Sequence, residues 1–183
     1  MSQNKPQKKR DNTLAALLRE KPKRGRPPRQ ISRQNVYVAL TKTQRQQMKT
    51  LAKMLPESLS RADLPDMAVN LLSIRMESLR LAVSGRNREI PEGVTDLDSL
   101  RLLWDLHLHE AEEAKWTSIR LSPQQVISLG RVHGILNAIF GVTRSEVFDL
   151  ALSLLIQFLN GEMTDKSYQS LEEINDWMTR IYL

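Results

Sequence analysis

Cysteine is absent from the chain. That excludes disulfides and thiolate metal sites and makes a reducing cytoplasm the expected compartment. Aromatic residues are scarce at 5%, and with 26% charged residues the composition leans towards helix, while 40% hydrophobic residues suffice for a folded body. Long apolar runs are missing too. The longest, LALSLLIQFL over Leu150–Leu159, is about half of the ~20 residues needed to span a bilayer. The opening MSQNKPQKKRDN is polar, with no apolar signal-peptide core behind it, so no membrane partner is expected. Neither a glycine-rich phosphate loop nor a nucleophile elbow occurs, and no spaced carboxylate pair lies near a histidine. His107 and His109, two apart on an expected helix, point about 160° apart and cannot share a metal. His133 has no evident partner, and Glu110, Glu112 and Glu113 read as a solvated helix face. The expectation is a protein that is not an enzyme, with no cofactor and no metal.

What is present is positive charge, unevenly spread. The net charge is +6. Residues 1–33 hold 11 Lys or Arg against Asp11 and Glu20, a net of +9, so the remaining 150 residues carry a net of −3. A polyanionic partner is expected for the tail, whereas the body must bind through local placement of charge. Residues 1–33 are expected to be a disordered basic tail, with Asn12–Arg19 able to form only a marginal two-turn helix.

The body opens with Asn35-Val36-Tyr37-Val38-Ala39-Leu40, whose alternation and β-branched content predict a strand. Thr41-Lys42-Thr43-Gln44 is a capping box, followed by Met48, Leu51, Ala52 and Leu55 at helical spacing as far as Pro56. A second box, Ser60-Arg61-Ala62-Asp63, starts a helix through Leu64, Met67, Ala68, Leu71 and Leu72, with Pro65 where its missing N–H does least harm. The order then repeats. Thr117 to Leu121 alternates, Ser122-Pro123-Gln124-Gln125 is a capping box, and Val126, Leu129, Val132, Leu136 and Ile139 form a stripe closed by Gly141. Thr143-Arg144-Ser145-Glu146 caps a last long helix, Val147 to Leu159. Residues 60–72 align with 143–155, with Arg, Asp, Ala and both terminal Leu identical. Between the copies, a helix is expected from Thr95 or Asp96 through about Ala114. After them, a Ser170–Glu173 box and Leu171, Ile174, Trp177, Met178 and Ile181 predict a short amphipathic helix, the candidate surface for self-association or a protein partner.

One short strand cannot satisfy its own backbone groups. Two such strands pair most simply as an antiparallel ribbon on a base of four helices. Val36, Val38 and Leu40 with Thr117, Ile119 and Leu121 would face the base. Asn35, Tyr37 and Ala39 with Trp116, Ser118 and Arg120 would face out. A two-stranded ribbon fits the major groove of DNA. Helix starts bearing Ser60 and Arg61, or Thr143 and Arg144, suit phosphate. Trp116 has two readings, a groove contact or a residue capping the ribbon and packing on the core.

Val36–Leu72 and Thr117–Leu155 resemble units of the ribbon-helix-helix superfamily (MetJ/Arc/CopG-like), here as a tandem double copy in one chain. The resemblance implies a fold that is mainly α with a short two-stranded antiparallel β-ribbon, a single-chain pseudo-dimeric ribbon-helix-helix. Pairing of each copy with another chain is the alternative arrangement. Tyr37 and Ala39 are less polar than the superfamily's usual groove-facing residues. In the tail, Lys23-Arg24-Gly25-Arg26-Pro27 resembles an AT-hook, whose Arg-Gly-Arg-Pro core lies in a narrow A·T-rich minor groove.

The expected organisation is a tail (1–33), a first copy (34–83), a linker and inserted helix (84–114), a second copy (115–160) and a C-terminal amphipathic helix (161–183). The expected function is sequence-specific binding of double-stranded DNA, in transcription regulation or as an accessory factor in plasmid partition or conjugal DNA processing. The expected setting is cytoplasmic and nucleoid-associated. The alternative is a protein-interaction adaptor, antitoxin-like or scaffolding, which the body's negative charge favours.

Overall fold

Two strands hold the molecule's only sheet among the described residues, and everything else there is helix or connection. The computed structural model describes residues 32–56, 58–84, 90–108, 112–161 and 170–183. Residues 1–31 of the basic tail, with the short helix expected at Asn12–Arg19, and His109 and Glu110 lie outside them. In chain order the elements are β1 (Gln34–Thr41), α1 (Lys42–Met54), α2 (Leu64–Ala82), α3 (Leu97–Leu103), β2 (Ala114–Leu121), α4 (Pro123–Phe140), α5 (Arg144–Gly161) and α6 (Leu171–Tyr182). β1 and β2 pair antiparallel from Gln34 opposite Leu121 to Thr41 opposite Ala114.

The local signals explain most boundaries. At α1 the Thr41 hydroxyl accepts from Gln44 N–H at 3.1 Å, while Thr41 N–H donates to Gln44 Oε1 at 2.7 Å, so two of the helix start's free groups are satisfied reciprocally. At α5, Thr143 and Glu146 bond in the same reciprocal way. Gly141 closes α4 at φ 70°, a left-handed turn that glycine adopts without a Cβ penalty. Two expected boxes are missing. α2 starts only at Leu64, with Asp63 as its N-cap and no side-chain capping bond, while Ser60 donates through its N–H and its hydroxyl to Asp63. The side chain of Ser122 makes no capping bond at the start of α4, and its N–H, which the Gln125 side chain would accept in a capping box, donates instead to the Asp66 carboxylate at 2.8 Å. The helix expected through Ala114 stops at Leu103. Asp105 is left-handed at φ 55°, and Leu106 N–H bonds back to the Arg101 carbonyl at 2.9 Å. His107, Glu112 and Glu113 therefore lie outside any helix.

The centre of the core is the α2–α5 pair. Leu64, Met67, Ala68, Leu71 and Leu72 on α2 and Val147, Phe148, Leu150, Ala151, Leu154 and Leu155 on α5 are buried. The inner face of the ribbon lies on this base through Val36, Val38, Leu40, Ile119 and Leu121. Helices apolar around most of their circumference need cover on several sides, and that need decides the architecture. The expected single-chain pseudo-dimeric ribbon-helix-helix, with four helices beneath a ribbon, is overturned. Six helices share one core. α6 lays Ile174 and Met178, both fully buried, against α2, and Trp177 meets Phe158 with ring centroids 5.3 Å apart. α3 adds Leu100 and is followed by buried Trp104. The Arg75 guanidinium of α2 sits over the rings of Trp104 (5.3 Å) and Tyr182 (4.6 Å), joining α2 to both added helices. The face of α6 proposed for association is thus largely spent inside the chain, leaving Ile181 and Leu183 exposed.

This packing gives a direct test. Met178→Ala should cost about 2–5 kcal/mol in urea denaturation, and Ile127→Ala, at an exposed site, less than about 0.5 kcal/mol. Equal effects from the two would mean that α6 is an appendage and not part of the core.

Candidate nucleic-acid interface

Strand alternation separates the ribbon into two faces. Val36, Val38, Leu40, Ile119 and Leu121 are buried and Thr117 is half-buried. On the opposite face Tyr37 and Trp116 are 67% and 75% exposed, Asn35, Ser118 and Arg120 are exposed, and Ala39 is half-buried. The register places these six in three cross-strand pairs: Asn35 opposite Arg120, Tyr37 opposite Ser118, and Ala39 opposite Trp116. Directly opposed residues on one face of an antiparallel pair lie about 4.5–5.5 Å apart at Cβ. The face is therefore a continuous strip, two side chains wide and three pairs long. Of the two readings of Trp116, its exposure rules out packing on the core.

The starts of α2 and α5 are fixed at opposite ends of this strip. At the Ala39/Trp116 end, Ala39 N–H donates to Ser145 Oγ on the first turn of α5 at 2.8 Å. At the Asn35/Arg120 end, Ser122 N–H, one residue beyond the ribbon, donates to Asp66 on α2. Arg33 enters beside it. Its guanidinium is almost fully buried, 3.0 Å from Asp66 and bonded to Asp63 and the Ala62 carbonyl. Arg33, placed in the tail by composition, belongs with the same compact unit as the ribbon. The second strand-helix-helix segment uses different partners for the equivalent task. Asp149 accepts from Gln44 of α1 and Arg101 of α3, and Arg101 also donates to Ser153 at 3.3 Å.

Arg61 and Arg144 are exposed beside these helix starts. The hydroxyls of Ser60 and Thr143 are committed within the chain, each donating at 2.7 Å to Asp63 or Glu146. A phosphate there would meet the arginines and backbone amides before those hydroxyls. Lys115, exposed on β2 opposite Leu40, is a surface cation that sequence reasoning missed. Alternation assigns it to the inner face, but the ribbon there has run past its base. The signal was a lysine at the strand's outer end, where a core position would demand an apolar residue. Lys23, Arg24, Gly25, Arg26 and Pro27 lie outside the described residues.

The shared arginine leaves the two carboxylates at the start of α2 unequal. Burial pushes the Asp66 carboxyl above the ordinary aspartate value, against the Ser122 N–H and Arg33. At Asp63 burial works in the same direction, but hydrogen bonds from Ser60 and the charge of Arg33 outweigh it and hold the carboxyl low. Among the described residues no cluster of three or more His, Cys, Asp or Glu could hold a metal, and no helix is long and apolar enough to cross a membrane. Comparison with family models, curated proteins and solved structures gives no match.

The pH dependence follows from these opposite shifts. Asp66 takes up its proton more readily folded than unfolded, so acidification through its folded pKa adds stability that a rise in pH removes. Asp63 contributes stability above its unfolded value that is lost as pH falls through its depressed folded value. Asp66→Asn should abolish the first effect and retain the second. Arg33→Ala should cost about 3–5 kcal/mol near neutral pH by leaving a carboxylate buried and unpaired, and less once Asp66 is protonated. Urea melts across pH report both, and a loss in Arg33→Ala that does not vary with pH would contradict the assignment.

Proposed function

We propose that the outward face of the β1–β2 ribbon binds double-stranded DNA by entering the major groove, and that the chain is a sequence-specific DNA-binding protein without enzymatic activity. One observation carries the reading: a two-stranded antiparallel ribbon, fixed on a helical base by one face, presents Asn35, Tyr37, Trp116, Ser118 and Arg120 to solvent on the other. A ribbon of this width fits the major groove, where amide and guanidinium groups reach base edges that distinguish all four base pairs. The starts of α2 and α5, with Arg61 and Arg144, flank the strip where the phosphate strands would run. Kinship of the two strand-helix-helix segments with ribbon-helix-helix units is part of the proposal, as is minor-groove binding by Arg24 and Arg26 of the AT-hook-like stretch. Transcriptional control, plasmid partition and conjugal processing all suit such a protein, in association with the nucleoid.

Electrophoretic or anisotropy titrations of the full chain test this. Arg120→Ala should weaken binding to the preferred site by about 1–3 kcal/mol and relax its sequence preference. A uniform loss on all sequences would make Arg120 a phosphate contact and sink its role in reading bases. Replacing Arg24 and Arg26 together by alanine should flatten the dependence of affinity on salt, by roughly 0.9 of slope for each phosphate no longer neutralised. A salt slope that does not move would remove the tail from the interface.

A further inference from the structure

The three pairs on the ribbon's outer face are not equivalent. At one end Asn35 faces Arg120, so that end carries an amide and a guanidinium. At the other, Ala39 faces Trp116, and the two side chains are apolar apart from the single indole N–H. Tyr37 and Ser118 lie between them. The chain repeats at an offset of 81 residues at the strands, Leu40 against Leu121, so Tyr37 and Ser118 are repeat-equivalent and face each other. Asn35 is likewise equivalent to Trp116, and Ala39 to Arg120. A repeat with identical strands would place the same pair at both ends. This one places a polar pair at one end and an apolar pair at the other. The supports differ in the same sense, since the start of α2 stands at the polar end through Asp66 and Arg33, and the start of α5 at the apolar end through Ser145.

The chemistry of the groove makes this difference readable. Asn pairs with the N6 and N7 edge of adenine and Arg with the O6 and N7 edge of guanine, whereas apolar side chains meet the thymine methyl. The outer pairs are four residues apart, about 13 Å along the strand, which matches about four base-pair steps.

We propose that one chain recognises a non-palindromic site in a single orientation. Asn35 and Arg120 read a purine edge at one end by hydrogen bonding, and Ala39 and Trp116 read thymine methyl groups about four base pairs away. The inference rests on the ribbon-in-groove reading above and goes beyond it by giving the site a polarity and each end a chemistry.

The test uses the full chain and duplexes drawn from a random pool by selection. The selected motif should be asymmetric, with a guanine or adenine preference at one end and thymine at the other. In that motif, deoxyuridine for thymine removes only the methyl group. It should weaken the parent chain several-fold and leave Trp116→Ala unaffected. A deazaguanine lacking the N7 acceptor at the polar end should weaken the parent chain by roughly 5- to 150-fold and leave Arg120→Ala unaffected. Both substituted residues are exposed, so unchanged thermal unfolding of the two variants serves as the folding control. A palindromic motif whose halves respond alike, or indifference to deoxyuridine while the ribbon variants still lose affinity, overturns the inference and leaves the DNA reading standing. Absence of any selected motif, together with full binding by both variants, overturns the DNA reading and the inference with it.

Discussion

Asp66 in the first turn of α2 and Asp149 in the second turn of α5 occupy aligned positions of the repeat, and the placement of the ribbon depends on how they are paired. A buried carboxylate is costly unless charge and hydrogen bonds compensate it. The compensating groups come from elements that must be held together. Asp66 takes the Ser122 amide at the end of β2 and the Arg33 guanidinium just before β1. Asp149 takes Gln44 from α1 and Arg101 from α3. Each aspartate thus joins the start of a core helix to chain segments remote in sequence. Such pairs add little net stability beside the apolar packing of α2 and α5, but removing one partner strands a charge. Their effect is to fix register. A one-residue slip of β1 against β2 would exchange the buried Val36, Val38 and Leu40 for the outward residues, and the Arg33–Asp66 and Ala39–Ser145 contacts select against it from both ends.

With the ribbon fixed in this way, its outer face is a strip whose side chains are not occupied by the fold. Tyr37 and Trp116 stay exposed although each could bury a large apolar area, and Asn35 and Arg120 are paired across the strands at one end. The body's net negative charge does not oppose a DNA-binding role, because its acidic groups are in part committed within the fold. Asp63, Asp66 and Asp149 neutralise buried arginines, and Glu146 closes the first turn of α5. Exposed Arg61, Arg144, Lys115 and Arg120 lie around the strip.

Much of this was legible in the sequence, and the reason is locality. Period-two alternation around Val38 and Ile119, the capping residues at Thr41 and Thr143, and the glycine turn at Gly141 are decided by neighbours a few residues apart. The six outward residues followed from alternation alone. What the sequence did not reveal depends on contacts between distant segments. At the start of α4 the Ser122 amide, expected within a capping box, goes instead to an aspartate from another helix. Arg33 looked like one more tail cation, and its burial becomes visible only with Asp63 and Asp66 beside it. The amphipathic stripe of α6 was readable, but not whether it would cover this core or another chain. The inserted and C-terminal helices, expected outside the four-helix base, join its core because α2 and α5 are apolar on more faces than a ribbon and two neighbouring helices can cover.

The central claim is that DNA covers the outer face of the ribbon, and Trp116 reports on that face directly. It is the exposed tryptophan of the chain, whereas Trp104 is buried and Trp177 packs on the core. The measurement is quenching of tryptophan fluorescence by acrylamide, with and without saturating duplex DNA, in the full chain and in Trp116→Phe. The account predicts an accessible component that vanishes in Trp116→Phe and becomes protected in the parent chain when DNA binds. DNA binding that leaves Trp116 as accessible as in the free protein would contradict it.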